Sequence, residues 1–170
     1  MPRSDRFRPG GPRTGGRWDG RRSRGYEPPP EPVDPHAALA RQEKSERAFL
    51  AYCLALPDDG EQRLAATDID DYFGAPATRE AAAYLRGRLR APAADLPPGN
   101  EALARLVAEL VITSGGLEAT SAKLELEALQ LDLHRLERHI SSARLTGGTG
   151  VRELAVERQR VLEEIRHKLT

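Results

Sequence analysis

The sequence predicts an all-α protein, a small helical bundle followed by a long antiparallel helical hairpin, with a disordered arm in front of both. Three observations carry this. The 170 residues are 39% apolar but only 5% aromatic, rich in alanine and leucine, which favours helices packed by aliphatic side chains. Leu126, Leu129, Leu133, Leu136 and Ile140 recur at steps of three and four, so residues 121–145 form one helix with an apolar seam. Beyond Gly147-Gly148-Thr149-Gly150, Val151, Leu154, Val161, Ile165 and Leu169 continue the spacing on a helix that folds back along the first.

Residues 1–36 are Gly, Pro, Arg and Ser rich and carry Pro28-Pro29-Pro30, Pro32 and Pro35 without an apolar face. Such a segment has too little to bury to offset its chain entropy, and its prolines make an extended spacer. From Ala37 to Leu56 the pattern is helical, with Phe49, Leu50, Cys53, Leu54 and Leu56 on an apolar surface, and Pro57-Asp58-Asp59-Gly60 reads as a stop. A short helix fits Glu61–Ala66. Asp68 to Phe73 reads as a loop that sets Ile69, Tyr72 and Phe73 into a core. Thr78 is a candidate cap for a helix over Thr78–Leu89, and residues 91–99 form a proline-rich connector. Asn100 caps a helix over Glu101–Thr113, Ser114-Gly115-Gly116 ends it, and Thr120 or Ser121 caps the long arm, about 37 Å in length. The folded part thus divides into a bundle, 37–116, and a hairpin, 117–170.

The net charge of zero hides an asymmetry. Residues 1–26 hold eight arginines against Asp5 and Asp19, a balance of +6 that leaves the remainder at −6. A basic arm on an acidic body points the arm, and not the body, towards phosphates. Arg13, Arg17, Trp18, Arg21 and Arg22 are candidates for single-stranded nucleic acid, guanidinium on phosphate and indole on base, while a soluble tether has the same composition. The lone Cys53 rules out an internal disulfide and a multi-thiolate zinc site, and makes a reducing, cytoplasmic setting the default. No signal peptide and no apolar run of membrane-spanning length is present, so no membrane partner is expected.

The search for chemistry yields binding and not catalysis. Asp68, Asp70 and Asp71 lack the glycine turn and distal glutamate of a calcium loop, and read as acids that cap a helix and face water. His134 and His139 are five apart and lie on divergent helix faces. Cys53 sits among leucines as a small core residue, and the glycines at 147–150 lack the lysine of a phosphate loop. No catalytic, cofactor or metal residues are assigned.

Ser45-Glu46-Arg47-Ala48-Phe49-Leu50, running on to Pro57, resembles the opening helix of the C-terminal domain of bacterial replicative DNA primase. In order come Asp68 to Phe73, like that family's acidic loop ending in an aromatic, Thr78–Leu89, like its helix that begins Thr-Arg, and Leu106-Val107-Ala108-Glu109-Leu110-Val111. With the closing hairpin, the resemblance covers residues 42–170. It implies a non-catalytic domain whose hairpin docks on the N-terminal domain of the hexameric replicative helicase, bringing primer synthesis to the replication fork. The family's zinc and magnesium belong to its other domains, which this chain lacks. The chain then corresponds to a detached C-terminal part, fragment or split gene, with 1–36 as linker.

On this reading Leu131, Leu145 and Leu162 fall off the main seams and are candidate partner contacts, with Ile165 and Leu169 beside them and Arg135, Arg138, Arg158 and Arg166 as charged borders. The same leucines equally suit a widened intramolecular seam. Two other readings use the same sequence: a nucleic-acid-binding protein working through its Arg/Gly arm, or a helical adaptor that exchanges arms through the Gly147–Gly150 hinge.

Overall fold

The computed structural model describes residues 35–170, with side-chain burial described from Ala40 onward. Arg13, Arg17, Trp18, Arg21 and Arg22, and the arm that carries them, lie outside the described residues. Every regular element among the described residues is a helix: α1 (Pro35–Ala55), α2 (Pro57–Ala66), α3 (Ile69–Tyr72), α4 (Pro76–Leu85), α5 (Glu101–Gly115), α6 (Ser121–Thr146) and α7 (Val151–Leu169).

α1 is the central helix, packed against α2, α4, α5 and α6. Gln42, Ser45, Glu46, Phe49, Leu50, Cys53 and Leu54 succeed one another at steps of three and one, and all are buried. The stripe is apolar in its second half and polar in its first, and the polar half meets the turn between α3 and α4. Phe49 meets Phe73 with ring centroids 6.2 Å apart, and Leu64, Ala81, Ala82, Leu85, Val107 and Leu124 complete the core around them.

Pro57 ends α1, as expected, but it also opens α2, because a helix's first residue needs no amide hydrogen bond. Asp58, Asp59 and Gly60 are therefore helical and not a stop. Gly60 is buried at the crossing of α1 and α2, where a Cβ would lie 2.7 Å from Cys53 Cα. Its value is the missing side chain, which lets two backbones approach.

Three further local expectations are corrected. The Asp68–Phe73 segment contains a one-turn helix, α3, capped by Asp68, whose Oδ1 accepts the amides of Asp70 at 3.1 Å and Asp71 at 3.4 Å. α4 starts at Pro76, not Thr78, and ends at Leu85, not Leu89. Gly87 adopts φ 77° there, and the Glu61 carboxylate accepts the amides of Gly87 at 3.1 Å and Leu89 at 3.2 Å, so Leu89 reaches the core from a turn. The caps Asn100 and Thr120 stand as expected, accepting the amides of Leu103 and Lys123.

α6 has two apolar faces. Leu124, Ala128 and Leu131 point into the bundle, while Leu136 and Ile140 are buried outside that core and form the hairpin's own seam with Val161 of α7. Bundle and hairpin consequently share α6. α7 is held more thinly. Val161 is its one buried side chain, and ion pairs of Arg158 with Glu137 at 3.0 Å and Lys168 with Glu125 at 2.6 Å fasten its middle and end to α6. Gly147 closes the turn at φ 64°.

Candidate functional site

The chemistry of the chain concentrates where α1, the α3–α4 turn and α6 meet. Glu46 is fully buried, and its carboxylate accepts from Gln42 Nε2 and the Gly74 amide at 2.6 Å each, from the Ala75 amide at 3.3 Å and from the Thr78 hydroxyl. Ala75 has no side-chain acceptor with which to cap α4. Glu46 does so from another helix, placing a negative charge where the orphan amides and the helix dipole favour one. Thr78, expected as the cap, is instead a helical residue whose hydroxyl donates to Glu46 and lies 3.1 Å from the Ala75 carbonyl. Arg79 donates to the Phe73 carbonyl at 3.0 and 2.8 Å and fixes the end of α3.

Beside this hub lies Asp71, the acid of its cluster that reaches α6. His139 Nε2 lies 2.6 Å from its Oδ1, Arg135 Nη1 donates to its Oδ2 at 3.2 Å, and Arg138 donates to its backbone carbonyl. Partial burial pushes the Asp71 carboxyl up, but the hydrogen bonds from His139 and Arg135 outweigh it and hold the group below the usual range. Arg135 is further committed to Asp132 at 2.8 Å and lies 4.8 Å over the Tyr72 ring.

The residues singled out as partner contacts therefore separate. Leu131 is 1% exposed inside the core, so its position off the hairpin seam marks the bundle face of α6 and not a contact. Arg135 and Arg138 are turned onto Asp71, and Arg158 is paired with Glu137. Leu145, Leu169 and the unanticipated Val156 are exposed at 88%, 68% and 65%. Leu162 and Ile165 are half-buried, and Arg166 is exposed. Leu145 and Leu169 do not form one patch, since the 19-residue α7 from Val151 to Leu169 separates them by about 27 Å. Leu169, expected in the seam, lies beyond its buried part.

A groove of about 800 Å³ runs between the start of α1 and the hairpin, its wall containing Arg41, His134, Arg138, Arg144 and Arg158. Burial is the main cause of a lowered His134 pKa, and it likewise lowers that of Arg138. No group of three or more His, Cys, Asp or Glu among the described residues is placed to hold a metal ion, and no described helix is long and apolar enough to cross a membrane.

Glu46 is the residue that pattern reading passes over. Its signal is nonetheless present: Gln42, Ser45 and Glu46 stand in register with the apolar stripe of α1. No protein-family model matches the chain, and no curated protein or solved structure matches it either.

Proposed function

We propose that this chain is a docking domain of the bacterial primase type, which binds the N-terminal domain of the replicative helicase through its C-terminal hairpin and brings primer synthesis to the fork. One observation supports the reading above others: the segments that carry the resemblance are joined to one another by specific bonds. Glu46 of the first caps α4, the helix that carries the Thr78-Arg79 segment, Arg79 holds the end of the Asp68–Phe73 segment, and Arg47 pairs at 3.0 Å with Glu109 of the fourth. Residues so coupled have a physical reason to occur together and in order.

In this reading the bundle is a rigid base and the hairpin is the handle. Leu162, Ile165 and Arg166 supply the contact, with the exposed Leu169 continuing it along α7 and Leu145 standing apart at the turn of the hairpin. Helix-on-helix docking uses such an apolar strip with charged borders. Calorimetry of the full chain against the N-terminal domain of the matching helicase tests it. Leu162→Ala with Ile165→Ala is expected to weaken binding about tenfold or more while circular dichroism stays unchanged. Unaltered binding by the folded double variant refutes this surface, and absence of binding by the parent chain refutes the function.

A further inference from the structure

We propose that the groove between the start of α1 and the hairpin is a second docking site, specific for a short acidic segment in which carboxylates flank an aliphatic residue. The proposal is independent of the helicase reading. Its first ground is charge. Among the described residues its lining includes Arg138, Arg144 and Arg158 beside one acid, Glu137, which is already engaged by Arg158 at 3.0 Å. Arg144 is exposed and has no ion-pair or hydrogen-bond partner among the described residues. Arg138 lies deeper, and its Nη1 is buried without a hydrogen-bond acceptor although Nη2 is used by the Asp71 carbonyl. Among the described residues no carboxylate pairs with Arg138, so its charge adds to that of Arg144 in drawing an incoming one.

The second ground is the floor. Leu133, Ile140 and Ala155 line the groove between the cations, so the site offers aliphatic contact together with charge. Among the described residues no Phe, Tyr or Trp lines it, and stacking platforms are what single-stranded nucleic acids use. The surroundings also disfavour a long polyanion. Residues 35–170 hold 18 basic and 21 acidic side chains, so the positive field is local to the groove. With a screening length of about 8 Å at physiological salt, a segment of a few residues senses the groove alone, whereas an extended strand meets the acidic body as well.

The test uses the full chain and a short fluorescein-labelled peptide in which leucines alternate with pairs of glutamates, read by anisotropy. Arg144→Glu and Ala155→Glu both alter exposed positions and leave the fold intact by circular dichroism. Each is expected to weaken binding about tenfold, and a glutamate-only peptide is expected to bind more weakly than the mixed one. Undetectable binding of the mixed peptide overturns the proposal. So does binding that neither variant changes, which places the peptide on the arginine-rich arm. Oligothymidylate binding that both variants abolish while the peptide fails to compete assigns the groove to nucleic acid and overturns it equally.

Discussion

The carboxylate of Glu46 receives the backbone amide of Gly74 at 2.6 Å, across 28 residues of sequence, and thereby joins the middle of α1 to the entrance of α4. Because Gln42, Ala75 and Thr78 donate to the same buried group, its removal strands several donors at once. Glu46→Ala is expected to cost about 2–4 kcal/mol, read as a lower urea midpoint at unchanged slope. Glu46→Gln fills the same space but turns an NH2 group towards donors, so it also destabilises, by less. A variant as stable as the parent contradicts the capping role.

Two glycines separate close approach from mere flexibility. Gly60→Ala places a methyl group 2.7 Å from Cys53 Cα, where backbone and not a yielding side chain is the obstacle, and is expected to cost about 1–3 kcal/mol. Gly115→Ala, at the end of α5, meets nothing within 4 Å, and restricts the unfolded chain. It is expected to be neutral or to stabilise by up to about 1 kcal/mol. Thermal melting of the two variants side by side checks the contrast.

The fold is legible in the sequence wherever one periodicity governs one face. The two long seams, the caps at Asn100 and Thr120, and the core places of Phe73 and Cys53 come from spacing and cap chemistry alone. Errors arise where one residue serves two ends. Pro57 both stops α1 and starts α2, Gly60 looks like punctuation but fills a crossing, and Leu131 looks free only when α6 is given a single partner. The site is less legible because its charges are spent across long distances in sequence. That Arg135 belongs to Asp71, 64 residues away, depends on how α3 meets α6, and no local pattern encodes it.

Asp71 makes stability depend on acid. Its carboxyl lies below the ordinary value in the folded protein, so as pH falls the unfolded chain takes up the proton first. The stabilisation is thus full above the unfolded value near pH 3.9 and disappears as pH drops through the folded one. Solvent reaches 32% of the side chain, which limits the effect to about 1 kcal/mol at most. Asp71→Asn is expected to lower the melting temperature at pH 6, with the gap from the parent narrowing below about pH 4. A gap that stays constant down to about pH 3 rules out ionised Asp71 as its source.

Cys53 provides a reporter for opening of the core. The thiol is fully buried on α1, and burial first, then the charge of Glu61, pushes its pKa up to about 12 against the opposing pull of Arg63. The reactive thiolate is therefore nearly absent in the folded protein at pH 8, and reagent access needs α1 and α2 to separate. Labelling by a disulfide reagent is expected to be more than about a hundredfold slower in buffer than in urea, and to accelerate in Gly60→Ala, whose strain falls at the same crossing. Because the folded value exceeds the unfolded one, this thiol's contribution to stability is whole below about pH 8.5 and declines as pH rises towards 12. Rapid labelling of the native protein at pH 8 contradicts both the burial of Cys53 and the close packing of the two helices around it.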